Sequence, residues 1–180
     1  MHNHLSYIYT FIENEDELKS FNLQNNSSII LRNYKKKFKI KSIIEIKKFC
    51  KKKKIKIYLS NDIKMALQAS LDGAYIPSFN KSLNLNNFNN KFYKKGFKII
   101  GSAHSLLEVK YKEKQGINLI FLSPLFLTKN YQSSLNVVKF NLIAIKTNSR
   151  LIALGGISQK NINKISMLKI VGFSGISYFK

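Results

Sequence analysis

Eight short apolar runs punctuate the chain, and polar or helix-like stretches separate them. Leu5–Ile12, Ser28–Arg32, Ile55–Leu59, Gly73–Pro77, Phe97–Gly101, Ile117–Leu122, Leu151–Ile157 and Ile170–Ser177 each read as a buried strand. Between them, Asn14–Leu18 has the acidic composition of a helix start, and Ile40, Ile43, Ile44 and Phe49 recur at helical spacing among lysines. Ser60-Asn-Asp62 supplies capping chemistry ahead of a helix over Ile63–Ser70. Ser105 and Glu108 form the signature of a capping box opening a helix to Gln115, and a further helix is predicted over Val137–Lys146. Residues 80–96, rich in Asn and Lys, suit either a poor helix or an irregular crossover.

Strands that are apolar throughout, alternating with helical segments, predict an all-parallel α/β fold with both sheet faces covered. No run has the marks of an edge strand, so eight of them favour a closed TIM (β/α)8 barrel. At 180 residues this is one short barrel domain, 1–180, and its final helix is expected to be reduced or absent because Lys180 follows the eighth run so closely. In such a barrel the strand C-termini carry the active site, and both prolines, Pro77 and Pro124, fall there.

The seventh and eighth runs end in glycine, at Gly155-Gly156 and Gly175, where each strand would meet the start of a helix. Backbone free of side chains at that junction lets N–H groups converge on an anion, so a phosphate site is one reading and tight turns alone the other.

Composition then limits the partners. The net charge of +22 invites nucleic-acid binding, but only Arg32 and Arg150 of the 31 basic residues are arginine, and the 29 lysines are spread along nearly every helix. Base readers rely on arginine forks and aromatic platforms, so no specific nucleic-acid partner is expected. No apolar run reaches the roughly 20 residues of a membrane span, no leader pattern opens the chain, and the single cysteine, Cys50, fits a reducing cytoplasm. The pattern assigns no oligomeric state.

Nine acidic residues act as a filter, and only Asp62 follows a strand on the active face. It could hold a hard cation or simply cap its helix. Arg32 ends the second strand and suits bidentate anion contact, with a salt bridge to Asp62 as the plainer alternative. His104, just after the fifth strand, could move a proton or be a buried structural histidine.

The pieces Ile30-Leu-Arg32, Ser60-Asn-Asp62, Asp72-Gly-Ala-Tyr75, Gly101-Ser-Ala-His-Ser105, Ser123-Pro-Leu-Phe-Leu-Thr128, Ala153-Leu-Gly-Gly-Ile157 and Gly175-Ile-Ser177 occur in an order and spacing that resemble the thiamine-phosphate synthase/TenI family. That resemblance implies a phosphorylated small-molecule substrate and the joining of hydroxymethylpyrimidine diphosphate to thiazole phosphate. By the resemblance, Arg32 contacts the diphosphate, Asp62 holds Mg²⁺ with Asn61 beside it, and Ser102 and Thr128 contact substrate. Gly155, Gly156, Ile176 and Ser177 would receive the thiazole phosphate.

The chain also departs from the family pattern. A second metal-binding aspartate is replaced by Asn80, Ile30 stands where a glutamine is expected, and a Thr-Lys pair reads Asn130-Tyr131, with Lys129 the nearest cation that could substitute. A TenI-like thiazole tautomerase, which needs neither diphosphate nor metal, and a non-catalytic binding paralogue are the alternatives.

Overall fold

Each apolar run becomes a strand because its residues are buried on both sides. A computed structural model describes residues 6–23, 27–88, 95–128 and 133–179. Its strands are β1 (Tyr7–Ile12), β2 (Ser28–Leu31), β3 (Lys56–Ser60), β4 (Gly73–Ile76), β5 (Lys98–Ala103), β6 (Leu119–Leu122), β7 (Arg150–Leu154) and β8 (Gly172–Ser174). All pair in parallel and in chain order, and β8 returns to β1 through Tyr7↔Gly172 and Tyr9↔Ser174, closing the barrel.

The inward side chains are unusually aromatic. Tyr9, Phe11, Tyr58, Tyr75 and Phe121 fill the interior with Ile30, Ile100, Leu119 and Ile152. Phe121 meets Tyr9 at 4.9 Å and Tyr75 at 5.6 Å, both edge to face, the arrangement ring quadrupoles favour. Such rings need space across the barrel. A Cβ on Gly73 would lie 2.7 Å from the Tyr58 ring and 2.0 Å from Lys98 O, so this strand start accepts no side chain.

Outward residues pack under helices α1 (Glu15–Ser20), α2 (Ile40–Lys52), α3 (Ile63–Gln68), α4 (Leu106–Lys114) and α5 (Asn136–Ala144). On α2 the buried stripe is Ile43, Ile46 and Cys50, against Ile29, Leu31, Ile57 and Leu59. Ile40, Ile44 and Phe49, which the sequence pattern also offers as core, are more than a third exposed. The helix carries more isoleucines than one face can bury, and contact with β2 and β3 selects among them. Each full burial contributes about 1.5–3 kcal/mol.

One expectation is corrected: among the described residues no α-helix starts at the glycines after β7, and a 3₁₀ turn over Ile162–Met167 follows instead. No helix follows β8 among the described residues. After β4, residues 77–82 run without regular secondary structure into a 3₁₀ turn, Leu83–Phe88; residues 89–94 lie outside the described residues. No helix among the described residues is long and apolar enough to cross a membrane.

Candidate functional site

The C-terminal ends of the strands open into a cavity of about 880 Å³. Strand termini and their following turns supply its wall. Eight of the ten residues singled out above line it: Arg32 after β2, Ser102 in β5, His104 after it, Thr128 after β6, Gly155 and Gly156 after β7, and Ile176 and Ser177 after β8. Tyr75 lines the cavity and packs edge to face on Phe11 at 5.4 Å, so the interior aromatics form its floor.

Arg32 is held in place by rings. Its guanidinium carbon sits 4.0 Å from the Phe11 ring centroid and 5.9 Å from that of Tyr34. Cation–π contact of this kind leaves the guanidinium N–H groups available, because the ring face occupies none of them. Among the described residues Arg32 belongs to no ion pair, so the salt bridge to Asp62 does not form.

Asp62 and Asn61 stand apart from the cavity lining. Asp62 is the N-cap of α3, its Oδ1 accepting from the Met65 N–H at 2.9 Å. Asn61 is left-handed, with φ 58°, and its Oδ1 accepts from the Asn80 amide at 2.7 Å. The donors offered to a divalent cation are thus one carboxylate, with one oxygen already engaged, and two amides bonded to each other. Among the described residues no three of His, Cys, Asp or Glu gather into a metal site. This set fits a magnesium ion only where oxygens from outside the protein complete its shell, not one caged by protein alone.

His104 is fixed from both ends. Its backbone N–H donates to Glu108 Oε2 at 2.7 Å, while Ser105 Oγ accepts from the Glu108 N–H at 3.3 Å, a capping box shifted by one residue. Its Nδ1 lies 3.0 Å from Ser123 O and 3.1 Å from Ser123 Oγ. The Ser123 carbonyl can only accept, so that contact is a hydrogen bond in the tautomer with its proton on Nδ1, whereas Ser123 Oγ suits either tautomer.

After β7, Gly155 and Gly156 have φ of 98° and 69°. A Cβ on Gly156 would come within 2.8 Å of Phe126 Cβ and 2.9 Å of Leu127 O, so these glycines pack β7's loop directly on β6's loop. Beside them are two hydroxyls that sequence reasoning treats unequally. Thr128 was singled out, whereas Ser174 reads as one more residue of a buried strand. Both line the cavity, and both Thr128 Oγ1 and Ser174 Oγ are buried with no hydrogen-bond partner among the described residues. An unsatisfied buried hydroxyl costs about 1–3 kcal/mol, which a ligand acceptor would return.

Two aromatic rim residues were also not foreseen, Tyr34 and Phe79, whose rings meet at 5.5 Å. Nor was Lys112, a fully buried lysine on α4. Burial, and then the nearby Lys81, pull its ammonium down to about 8, against the attraction of Glu108. Lys129, with Asn130 and Tyr131, lies outside the described residues.

Residues 17–179 match a family model described as thiamine monophosphate synthase. A protein of Aquifex aeolicus strain VF5, provisionally named thiamine-phosphate synthase 2, is 32% identical over 140 residues, covering 75% of this chain and 72% of that protein. Thiamine-phosphate synthase of Prochlorococcus marinus is 45% identical over 76 residues, which are 41% of this chain and 22% of that protein's length. Among solved structures, thiamine phosphate pyrophosphorylase of Pyrococcus furiosus superposes with a TM-score of 0.71 over 97% of this chain and 87% of that one. At 15% identity that likeness speaks for the fold.

Proposed function

Because the chain belongs to the thiamine monophosphate synthase family, we propose that it joins hydroxymethylpyrimidine diphosphate to thiazole phosphate in thiamine biosynthesis, releasing pyrophosphate. The observation that carries this reading is the pair of orphaned hydroxyls, Thr128 Oγ1 and Ser174 Oγ, in a cavity that also presents a ring-held arginine. Buried donors without acceptors suit a ligand rich in acceptor oxygens, and a phosphate is such a ligand.

In this reaction the bond from the pyrimidine methylene carbon to the diphosphate oxygen breaks, and the thiazole nitrogen forms the new bond to that carbon. The electron pair leaves with pyrophosphate, so no proton has to be moved. The protein's work is to bind, orient and neutralise charge. Arg32 offers its guanidinium fork to the departing diphosphate. Ser174, Ser177 and the backbone at Gly156 hold the thiazole phosphate. Asp62 is the carboxylate that would hold magnesium, which when bound supplies neutralisation of the leaving group.

Purified protein incubated with both substrates and Mg²⁺ is expected to form thiamine phosphate. No product above background, with thiazole phosphate still bound, overturns this reaction.

One observation favours a second reading. His104, with Nδ1 3.0 Å from Ser123 O, places an imidazole in the cavity wall. A TenI-like tautomerisation of a thiazole phosphate needs a proton moved and no diphosphate. Isomerisation of the thiazole by protein that makes no thiamine phosphate would select it.

A further inference from the structure

Residues 77–82 leave β4 without regular secondary structure, yet this segment provides Pro77, Ser78 and Phe79 to the cavity wall. Its path is set from outside, by side chains of α4 and the residue that caps it. Lys112 Nζ donates to Pro77 O at 2.8 Å, Asn80 O at 2.9 Å and Gln115 Oε1 at 2.9 Å. Gln115 Nε2 donates in turn to Asn80 O at 3.0 Å and Ser82 O at 2.8 Å. Tyr111 OH donates to Lys81 O at 3.0 Å. Four carbonyls of one short segment are therefore gripped by three side chains.

The grip is costly to build. An ammonium has three donors, and here all three are used within the protein. Lys112 is 0% exposed and Gln115 2% exposed, and none of the ion pairs among the described residues includes Lys112. An apolar side chain would fill the same space with no charge to desolvate. What the ammonium adds is direction, since one point fixes three acceptors at hydrogen-bond length.

The gripped segment reaches the site in two places. Phe79 meets Tyr34 on the rim, and Tyr34 in turn lies over the Arg32 guanidinium. Asn80 donates to Asn61, beside Asp62. We propose that Lys112, seconded by Gln115, is a positioning residue for substrate binding, holding residues 77–82 so that Phe79 and Asn80 keep their places at the cavity mouth. This rests on the reading of the cavity as the site of the phosphorylated substrates.

The test compares wild type, K112M and Q115L by hydrogen exchange and by steady-state kinetics of thiamine phosphate formation. Both variants are expected to raise amide exchange in residues 78–82 about tenfold while leaving β7 and β8 protected. They are also expected to raise KM for the diphosphate substrate about tenfold, with kcat changed less than about threefold. Q115L decides the matter if K112M fails to fold. Unchanged exchange in 78–82, protection lost evenly over all strands, or a fall in kcat with KM constant would each overturn the proposal. If the wild type makes no thiamine phosphate, only the synthase reading falls. The calorimetric Kd for thiamine phosphate then replaces KM, or the exchange result decides alone where thiamine phosphate does not bind.

Discussion

Replacing Gly156 by alanine tests whether the glycine wall of the cavity is a packed element or only a permissive turn. Two costs can be separated, because the chain contains a control. Gly96 has φ 96° with nothing among the described residues within 4 Å of an added Cβ, so G96A carries the left-handed backbone penalty of ~1–2 kcal/mol. Gly156, at φ 69°, would carry that penalty and also drive its Cβ to 2.8 Å from Phe126 Cβ, 2.9 Å from Leu127 O and 3.0 Å from Phe126 O. Two of those atoms are backbone and cannot rotate away, which adds ~1–3 kcal/mol of overpacking. For a chain of this size 1 kcal/mol moves Tm by roughly 2–4 °C. G96A should therefore melt roughly 2–8 °C low and G156A about 2–12 °C lower still. The strain in G156A relaxes by shifting residues 126–128, which carry the Thr128 hydroxyl. Loss of one hydrogen bond to a charged oxygen is worth ~1.5–3 kcal/mol, so thiamine phosphate should bind roughly ten- to a hundredfold more weakly to G156A and normally to G96A. Differential scanning calorimetry and titration calorimetry on the two variants supply the numbers. If G156A melts with G96A and binds like wild type, the β6 and β7 loops are not packed as described, and the glycines serve only their turn.

Three further perturbations address the site and its frame. S174A removes a buried hydroxyl that has no partner among the described residues. Its Tm should hold or rise by a degree or two while thiamine phosphate affinity falls about tenfold, and a parallel loss of both would mean the hydroxyl is structural. D62N and D62A separate capping from metal binding. Asparagine caps a helix about as well as aspartate, so D62N should keep Tm while raising the Mg²⁺ needed for half-maximal activity, and D62A should also lose ~0.5–2 kcal/mol of stability. Equal magnesium dependence in wild type and D62N removes Asp62 from the metal's shell. Glu113 ties α4 to the loop before β7, accepting from Thr147 Oγ1, the Asn148 N–H, Ser149 Oγ and Lys110 Nζ. Burial works to raise its pKa, but these donors outweigh it and hold the carboxyl down at about 2. A depressed acid stabilises the fold above its unfolded pKa of about 4.3 and loses that contribution as pH falls toward 2. The Tm gap between wild type and E113Q should therefore be full at pH 6 and vanish near pH 2, and a gap independent of pH would refute the assignment.

The strands were legible because an all-parallel barrel buries both faces of every strand, leaving apolar runs bounded by polar residues or glycine. β8 was drawn too long, from Ile170 to Ser177, because Ile176 continues the apolar run although the chain has already turned at Gly175 and leaves Ile176 on the rim. The helix face of α2 was misread because Ile40, Ile43, Ile44 and Ile46 look alike until β2 and β3 choose among them. A helix after β7 was expected from the strand–glycine junction. The chain instead spends Ser158–Asn161 on a turn in which Asn161 accepts from the Ser158 N–H at 2.9 Å and donates to Gly156 O at 2.8 Å, and only a 3₁₀ turn follows.

Site residues at strand ends could be found from sequence because closure of the barrel brings every strand C-terminus to one mouth, whatever the intervening chain does. Arg32 and His104 needed no contact information to be grouped, and the family resemblance added Ser102 and Thr128. Residues that act from a helix onto a neighbouring loop have no such rule. Lys112 is one of 29 lysines and sits in a helix whose other lysines, Lys110 and Lys114, are exposed, so nothing local marks it as buried. Its partners are thirty-two and thirty-five residues earlier, in a segment with no period of its own. In a chain this rich in lysine, a buried ammonium such as that of Lys112 is hidden by the number of its neighbours. The same reasoning explains Ser174, a polar residue among apolar ones in the shortest strand. Its hydroxyl draws notice only once the barrel has closed and no partner for it is found among the described residues.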